Sequence, residues 1–264
     1  MTPFRVPGRL LFAAILGVAL LLPAAVSAAP GARVMFHGPP TRRVVALTFD
    51  DGAGSAACAA LVSILEETHT PATFFPNAVY VQASPRLWRH IAALGFPIGN
   101  HTTSHPLMTR LPYERQLAQI TSDRLIVERV LGRRTIPVFR PPYGAFNGTT
   151  VRAATAAGYS YVLNWDATFA DSSHRRDGSP WPIASYVDAA TRGTDGSVIL
   201  GHCGNRLDVA ALRAVIASYR TRGFSFVTVP QLLGLPGAVP MTFPAYPTPP
   251  PPPPPPWSGR PHPL

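Results

Sequence analysis

The chain has 264 residues, of which 46% are hydrophobic, and carries 23 basic against 13 acidic groups for a formal charge of +10. That apolar share is ample for one large α/β core, which excludes a chain too polar to fold. Every basic residue is arginine, and with no basic-aromatic reading motif the charge points to anionic wall polymers or lipid headgroups, not to nucleic acid.

The first 28 residues read as a secretory signal. Arg5 and Arg9 precede an apolar run from Leu10 to Leu22, and Val26-Ser27-Ala28 forms a small-residue cleavage site before Ala29. A run of about 13 residues falls short of the ~20 that a membrane span needs, so the mature chain is expected to be exported with no stable span. The two cysteines, Cys58 and Cys203, would then meet an oxidising compartment.

Beyond the leader, "RVVALTFD" predicts a buried strand ending in two acids, Asp50 and Asp51, and "CAALVSILEETHT" an amphipathic helix. "PATFFPNAVYV" predicts a second strand, "PRLWRHIAALG" a helix, and "FPIGN" a short run that delivers His101 and His105. "YERQLAQITSDRLIVERVLG" has helical spacing, "PVFRPPYG" predicts strand and loop, "TVRAATAAG" a helix and "YSYVLNW" a strand. "GSVILGH", "VAALRAVIASYRTRG" and "FSFVTV" follow as strand, helix and strand. This alternation argues for parallel βαβ units, and about seven of them suit a distorted (β/α) barrel with a single catalytic domain over residues 29–240. After Pro240 the composition changes, and the eight prolines Pro249–Pro256 predict a stiff polyproline spacer of roughly 25 Å, within a tail at 241–264.

The candidate chemistry sits at strand ends. His101 and His105, four apart, can share the face of a helical turn and reach one cation. Asp51 is the natural third ligand, giving a two-His, one-carboxylate site with positions open for water and substrate. Asp50 beside it can take a proton from that water, and Arg140 can pair with Asp50 and hold it ionised. Pro141-Pro142 stiffen the loop carrying Tyr143, whose backbone N–H is a candidate oxyanion donor. His202, at the end of a late strand, is a candidate general acid, and either Asp166 or Asp171 can orient it.

In this order the motifs resemble the polysaccharide deacetylases with a NodB-homology domain, carbohydrate esterase family four, from Val44 to about Leu235. "TFDDG" is similar to the family's first motif, which implies Asp50 as base and Asp51 as metal ligand. "HTTSH" resembles the second and implies His101 and His105 as ligands. "RPPYG" resembles the third, with Arg140 tuning the base and Tyr143 lining the acetyl pocket. "LGH" resembles the fifth, making His202 the acid and Leu200 part of the apolar wall by the acetyl methyl. The fourth motif departs from the pattern: Asp166 and Asp171 are five apart, Ser172 stands where a tryptophan is usual, and Trp165 precedes instead. Because the first and last barrel strands of such a fold meet, Cys58 and Cys203 are expected to bridge beside the site. The resemblance implies one divalent ion, zinc first with cobalt or manganese as alternatives, and N-deacetylation of an acetylated polysaccharide. Peptidoglycan is the favoured substrate; chitin-type oligomers, O-acetylated xylan, and an inactive carbohydrate-binding protein on the same fold are the alternatives.

Overall fold

The computed structural model describes residues 31–40, 42–175 and 177–236, with Ala238, Met241 and Phe243. The expected leader at 1–28 and all but two residues of the expected tail lie outside the described residues. In chain order the elements are β1 (Arg33–Met35), β2 (Val44–Asp51), α1 (Ser55–Glu67), β3 (Ala72–Pro76), α2 (Ala78–Ala83), α3 (Pro85–Ala93), α4 (Tyr113–Leu131) and β4 (Val138–Phe139). They continue with α5 (Gly148–Ala156), β5 (Tyr161–Leu163), β6 (Ala167–Thr168), α6 (Ile183–Ala190), β7 (Val198–Cys203), α7 (Arg206–Thr221), β8 (Ser225–Phe226) and α8 (Val229–Leu233). No described helix is long and apolar enough to cross a membrane.

All ladder pairings between named strands are parallel. One sheet runs β1-β5-β4 and the other β3-β2-β7-β6, with β8 also on β2. Single parallel bridges, Phe74 to Ile98 and Asn100 to Phe139, link the two. Among the described residues β6 does not pair with β5, so the ring of strands stays open there: a parallel α/β fold, as the alternation predicts, but without a closed ladder. The strand expected through Val81 stops at Pro76, which has no N–H to extend a ladder. Asn77 then takes the N-cap position of α2, and its side chain is used elsewhere.

Side chains alternate along β2. Val45, Leu47 and Phe49 join the large cluster under α1, α3 and α7, while Ala46 packs inside the ring with Phe75, Val138, Leu163 and Val198. Val229 and Leu232 of α8 close that inner core at the end where the strands begin, and the Val229 N–H donates to Thr73 Oγ1 at 2.9 Å. The first and last described contacts fall at the same end. The Ala32 N–H donates to Thr155 Oγ1 at 2.9 Å near the end of α5. The Phe243 ring packs on Phe96 and His69, which lead into Ile98 and β3.

Cys58 of α1 and Cys203 at the end of β7 form a disulfide across a sequence separation of 145, as expected. A cross-link over so long a loop restricts the unfolded chain strongly. Replacing both cysteines with serine is expected to cost ~2–5 kcal/mol in urea unfolding at equilibrium; a midpoint unchanged from the oxidised protein would contradict this.

Candidate active site

Alternation decides which carboxylate looks into the ring. Ala46 and Thr48 face inward, so Asp50 continues that row. Asp51 would point away if the strand continued, but its φ of 67° turns the chain. Its Oδ1 thereby lies 3.6 Å from His101 Nε2 and 3.5 Å from His105 Nε2. Gly52 permits the next step of the turn at φ 108°, where a Cβ would meet the Trp88 ring at 2.5 Å.

The two histidines reach this point from a loop and not from a helical turn, which corrects the spacing argument. Thr102 and His105 have φ of 70° and 59°, and the imidazole centroids end 5.0 Å apart. The loop is held from several sides. The Asn77 side-chain amide donates to the His101 carbonyl at 2.5 Å, the Thr102 N–H to Asn100 Oδ1 at 3.1 Å, and the Thr103 N–H to Gln119 Oε1 of α4 at 3.1 Å. Of the non-glycine residues with positive φ, Asp51, Thr102, His105 and Tyr143 all belong to this region and Ala170 precedes Asp171. Backbone strain of order 1–3 kcal/mol per residue is kept where it sets side-chain direction.

These residues fit a metal ion. Asp51 Oδ1 is buried and has no hydrogen-bond partner, although two imidazole nitrogens face it. His101 Nδ1 is 2.7 Å from the Arg140 carbonyl, which assigns the proton to Nδ1 and leaves Nε2 free for a ligand. Burial pushes the His101 pKa down to about 3, against the pull of the Asp51 charge, so the ring is neutral as a ligand must be. Two imidazoles and one carboxylate suit a borderline divalent cation such as zinc.

Arg140 lies inside the ring with no solvent exposure. Its guanidinium donates to Asp50 Oδ1 and Thr48 Oγ1, both at 2.8 Å, to the Leu163 carbonyl at 3.1 Å and to the Asn164 carbonyl at 3.3 Å. Phe75 and Trp165 cover it at 4.3 and 5.8 Å. Burial raises the Asp50 pKa, while the charge and hydrogen bond of Arg140 pull it down. Asp50 Oδ2 is left 3.7 Å from His101 Nε2. Tyr143, at φ 61°, is largely exposed and sets its ring edge-on to His105 at 4.5 Å.

On the neighbouring strand, His202 pairs with Asp50 and Leu200 with Thr48 in the β2 register, so Leu200 sits two residues below His202 on the inward row. His202 Nδ1 is 2.7 Å from Asp171 Oδ2, which also accepts from Asn205 Nδ2 at 2.9 Å. Burial opposes the imidazolium, but the Asp171 hydrogen bond and charge, with Asp50 and Asp51 behind them, raise its pKa to about 9. Of the two aspartates left open by the sequence, Asp166 does not reach His202. Its carboxylate accepts from Ser197 Oγ at 2.9 Å and from the Val198 N–H at 2.8 Å, and so fastens β6 to β7.

A cavity of about 550 Å³ opens beside His202, lined among others by Asp51, Asp171, Ser172 and Arg206. A second of about 540 Å³ lies past His105, between Thr103, Pro106 and α4. Sequence reasoning missed Thr48, Asn77, Asn205 and Asp208. Asn205 was readable as an N-cap, since it accepts from the Leu207 N–H; the others carry no local signal.

The Asp51–His101–His105 cluster, the buried Asp50–Arg140 pair and the His202–Asp171 pair converge at the carboxyl ends of parallel strands, the end where barrels of parallel strands carry their functional residues. The family profile described as polysaccharide deacetylase matches residues 37–162. The peptidoglycan-N-acetylmuramic acid deacetylase PdaC of Bacillus subtilis is 34% identical over 193 residues, covering 73% of this chain and 39% of PdaC; the chain thus spans about two-fifths of that relative's length. A peptidoglycan-N-acetylglucosamine deacetylase of Bacillus cereus is 29% identical over 211 residues, covering 77% of this chain and 94% of the relative. The crystal structure of the Bc1960 peptidoglycan N-acetylglucosamine deacetylase superposes with a TM-score of 0.69 at 30% identity, over 77% of this chain and 94% of that one. The chain belongs to the polysaccharide deacetylase family.

Proposed function

We propose that this protein is exported and removes acetyl groups from N-acetylated amino sugars of peptidoglycan with one divalent metal ion, zinc by its ligand types. The observation that carries this reading is the orphaned Asp51 oxygen facing two imidazoles, beside the buried Asp50–Arg140 pair and the His202–Asp171 pair. The substrate follows the relatives, whose names give peptidoglycan. The open cavity beside Asp51 and His202 leaves room for a sugar chain, and the basic chain favours an anionic wall.

Asp51, His101 and His105 would hold the ion, which when bound polarises a carbonyl and acidifies water. Arg140 fixes Asp50 through Oδ1, and Asp50 accepts the proton of the attacking water as general base. The Tyr143 N–H donates to the oxyanion, and Leu200 gives the acetyl methyl an apolar wall. His202 then passes its proton to the leaving nitrogen, with Asp171 holding the imidazolium in place. Acetate and a free amine result.

Acetate release from purified peptidoglycan, from chitin oligomers and from acetylated xylan tests the reading. Release from peptidoglycan, lost to a chelator and restored by zinc, is expected; no release from any acetylated glycan by metal-loaded protein would sink it. The acid must carry its proton to act, so kcat/KM, which reports the free enzyme, is expected to fall as pH rises past about 9. Asp171→Asn should move that limb to lower pH, and a pH–rate profile checks it. The same pair has a sign for stability. The folded pKa lies above the unfolded 6.5, so its contribution is complete below about pH 6.5 and is lost as pH rises through about 9.

A further inference from the structure

Behind His202 lies a third carboxyl that the reaction as derived does not use. Asp208, on the first turn of α7, is fully buried, and its Oδ2 accepts the His202 backbone N–H at 2.6 Å. Gly201 makes the approach possible, since a Cβ there would stand 2.7 Å from Asp208 Oδ2 and 3.0 Å from the Phe49 ring. Asp208 Oδ1 and Asp171 Oδ1 are each buried with no hydrogen-bond partner. One ligand-capable atom from each of Asp171, His202 and Asp208 lies within 4.8 Å of the others. Two buried carboxylates this close repel each other, and one proton between them removes the repulsion while giving an orphaned oxygen a partner.

We propose that Asp208 is a positioning residue that works as the neutral acid: one oxygen fixes the His202 backbone and the other shares its proton with Asp171. Asp171 thereby keeps a single negative charge, which it directs at His202 Nδ1. Burial and the Asp171 charge raise the Asp208 pKa well above the ordinary carboxylate value, against the pull of the His202 N–H and charge. The groups that bear on the pair are Asp171 from the loop after β6 and His202 from β7, with Asp50 and Asp51 of β2 acting on His202.

The inference rests on the deacetylase reading for its kinetic arm only. Asp208→Asn reproduces both contacts of the neutral acid, because its carbonyl accepts from His202 and its amide donates to Asp171. Its kcat on the substrate that the wild type turns over is expected to stay within about threefold, whereas Asp208→Ala should lose about 30-fold or more in kcat with KM nearly unchanged. Hydrogen exchange at the His202 amide needs no turnover: it should be slow in the wild type and Asp208→Asn and fast in Asp208→Ala. Three results would overturn the proposal. The first is Asp208→Asn as damaging as alanine, which demands the ionised form. The second is Asp208→Ala with both kcat and slow exchange kept. The third is two metal ions bound per wild-type chain, with one lost in Asp208→Asn, which puts a cation where the proton is placed. A wild type inactive on every glycan, yet with the predicted exchange pattern, would reject the deacetylase reading and leave the Asp208 contact standing.

Discussion

Asp50→Asn is expected to lower kcat for acetate release by about 10³-fold or more, the scale on which a positioned general base acts. The substitution keeps the shape of the side chain and an oxygen for Arg140, but the amide cannot accept the proton of the attacking water. Because Asp51, His101 and His105 are the proposed ligands, metal content should stay at one ion per chain. Metal analysis beside single-turnover kinetics separates the two roles. A variant that loses both the metal and activity would show that Asp50 belongs to the ligand set instead.

The second large effect falls on folding. Arg140→Met should destabilise the protein by ~3–5 kcal/mol, the usual cost of removing one member of a buried ion pair. Methionine fills much of the volume between Phe75 and Trp165, so the loss comes from stranding Asp50 and the acceptors Thr48 Oγ1, Leu163 O and Asn164 O. Urea unfolding at neutral pH with the disulfide intact measures it. Partial recovery is expected at low pH, where Asp50 is protonated and no longer a lone buried charge. A loss that does not depend on pH would mean that packing around the guanidinium, and not its charge, matters most.

Much of this architecture is legible in the sequence because burial leaves a pattern. The run from Val44 to Leu47 is apolar on both faces, as a strand between a ring interior and covering helices must be, and the order of motifs predicts which ends converge. Other features leave no pattern. The Ala78–Ala83 helix reads as strand because Val79, Tyr80 and Val81 favour extended backbone when taken alone, and only Pro76 and the cap at Asn77 break the ladder. The three-residue β1 and the short α6 are too brief to show a period. His101 and His105 converge through left-handed backbone at Thr102 and His105, which residue spacing cannot reveal. The five-residue gap between Asp166 and Asp171 likewise does not say which carboxylate turns to β7 as a backbone fastener and which reaches His202. Asp208 looks like an ordinary acid at a helix start, favourable to the dipole, until the missing side chain of Gly201 lets it touch the strand.

The contacts of Ala32 on Thr155 and of Phe243 on Phe96 and His69 lie at the end of the ring where the strands begin, while the ligand cluster lies where they finish. Anchoring the protein to a bead beside Ala32 or Phe243 would therefore point the reactive rim outward, towards an insoluble substrate. Coupling through an engineered cysteine at Ser172, on the wall of the cavity beside His202, would press that rim against the support and shut the polymer out.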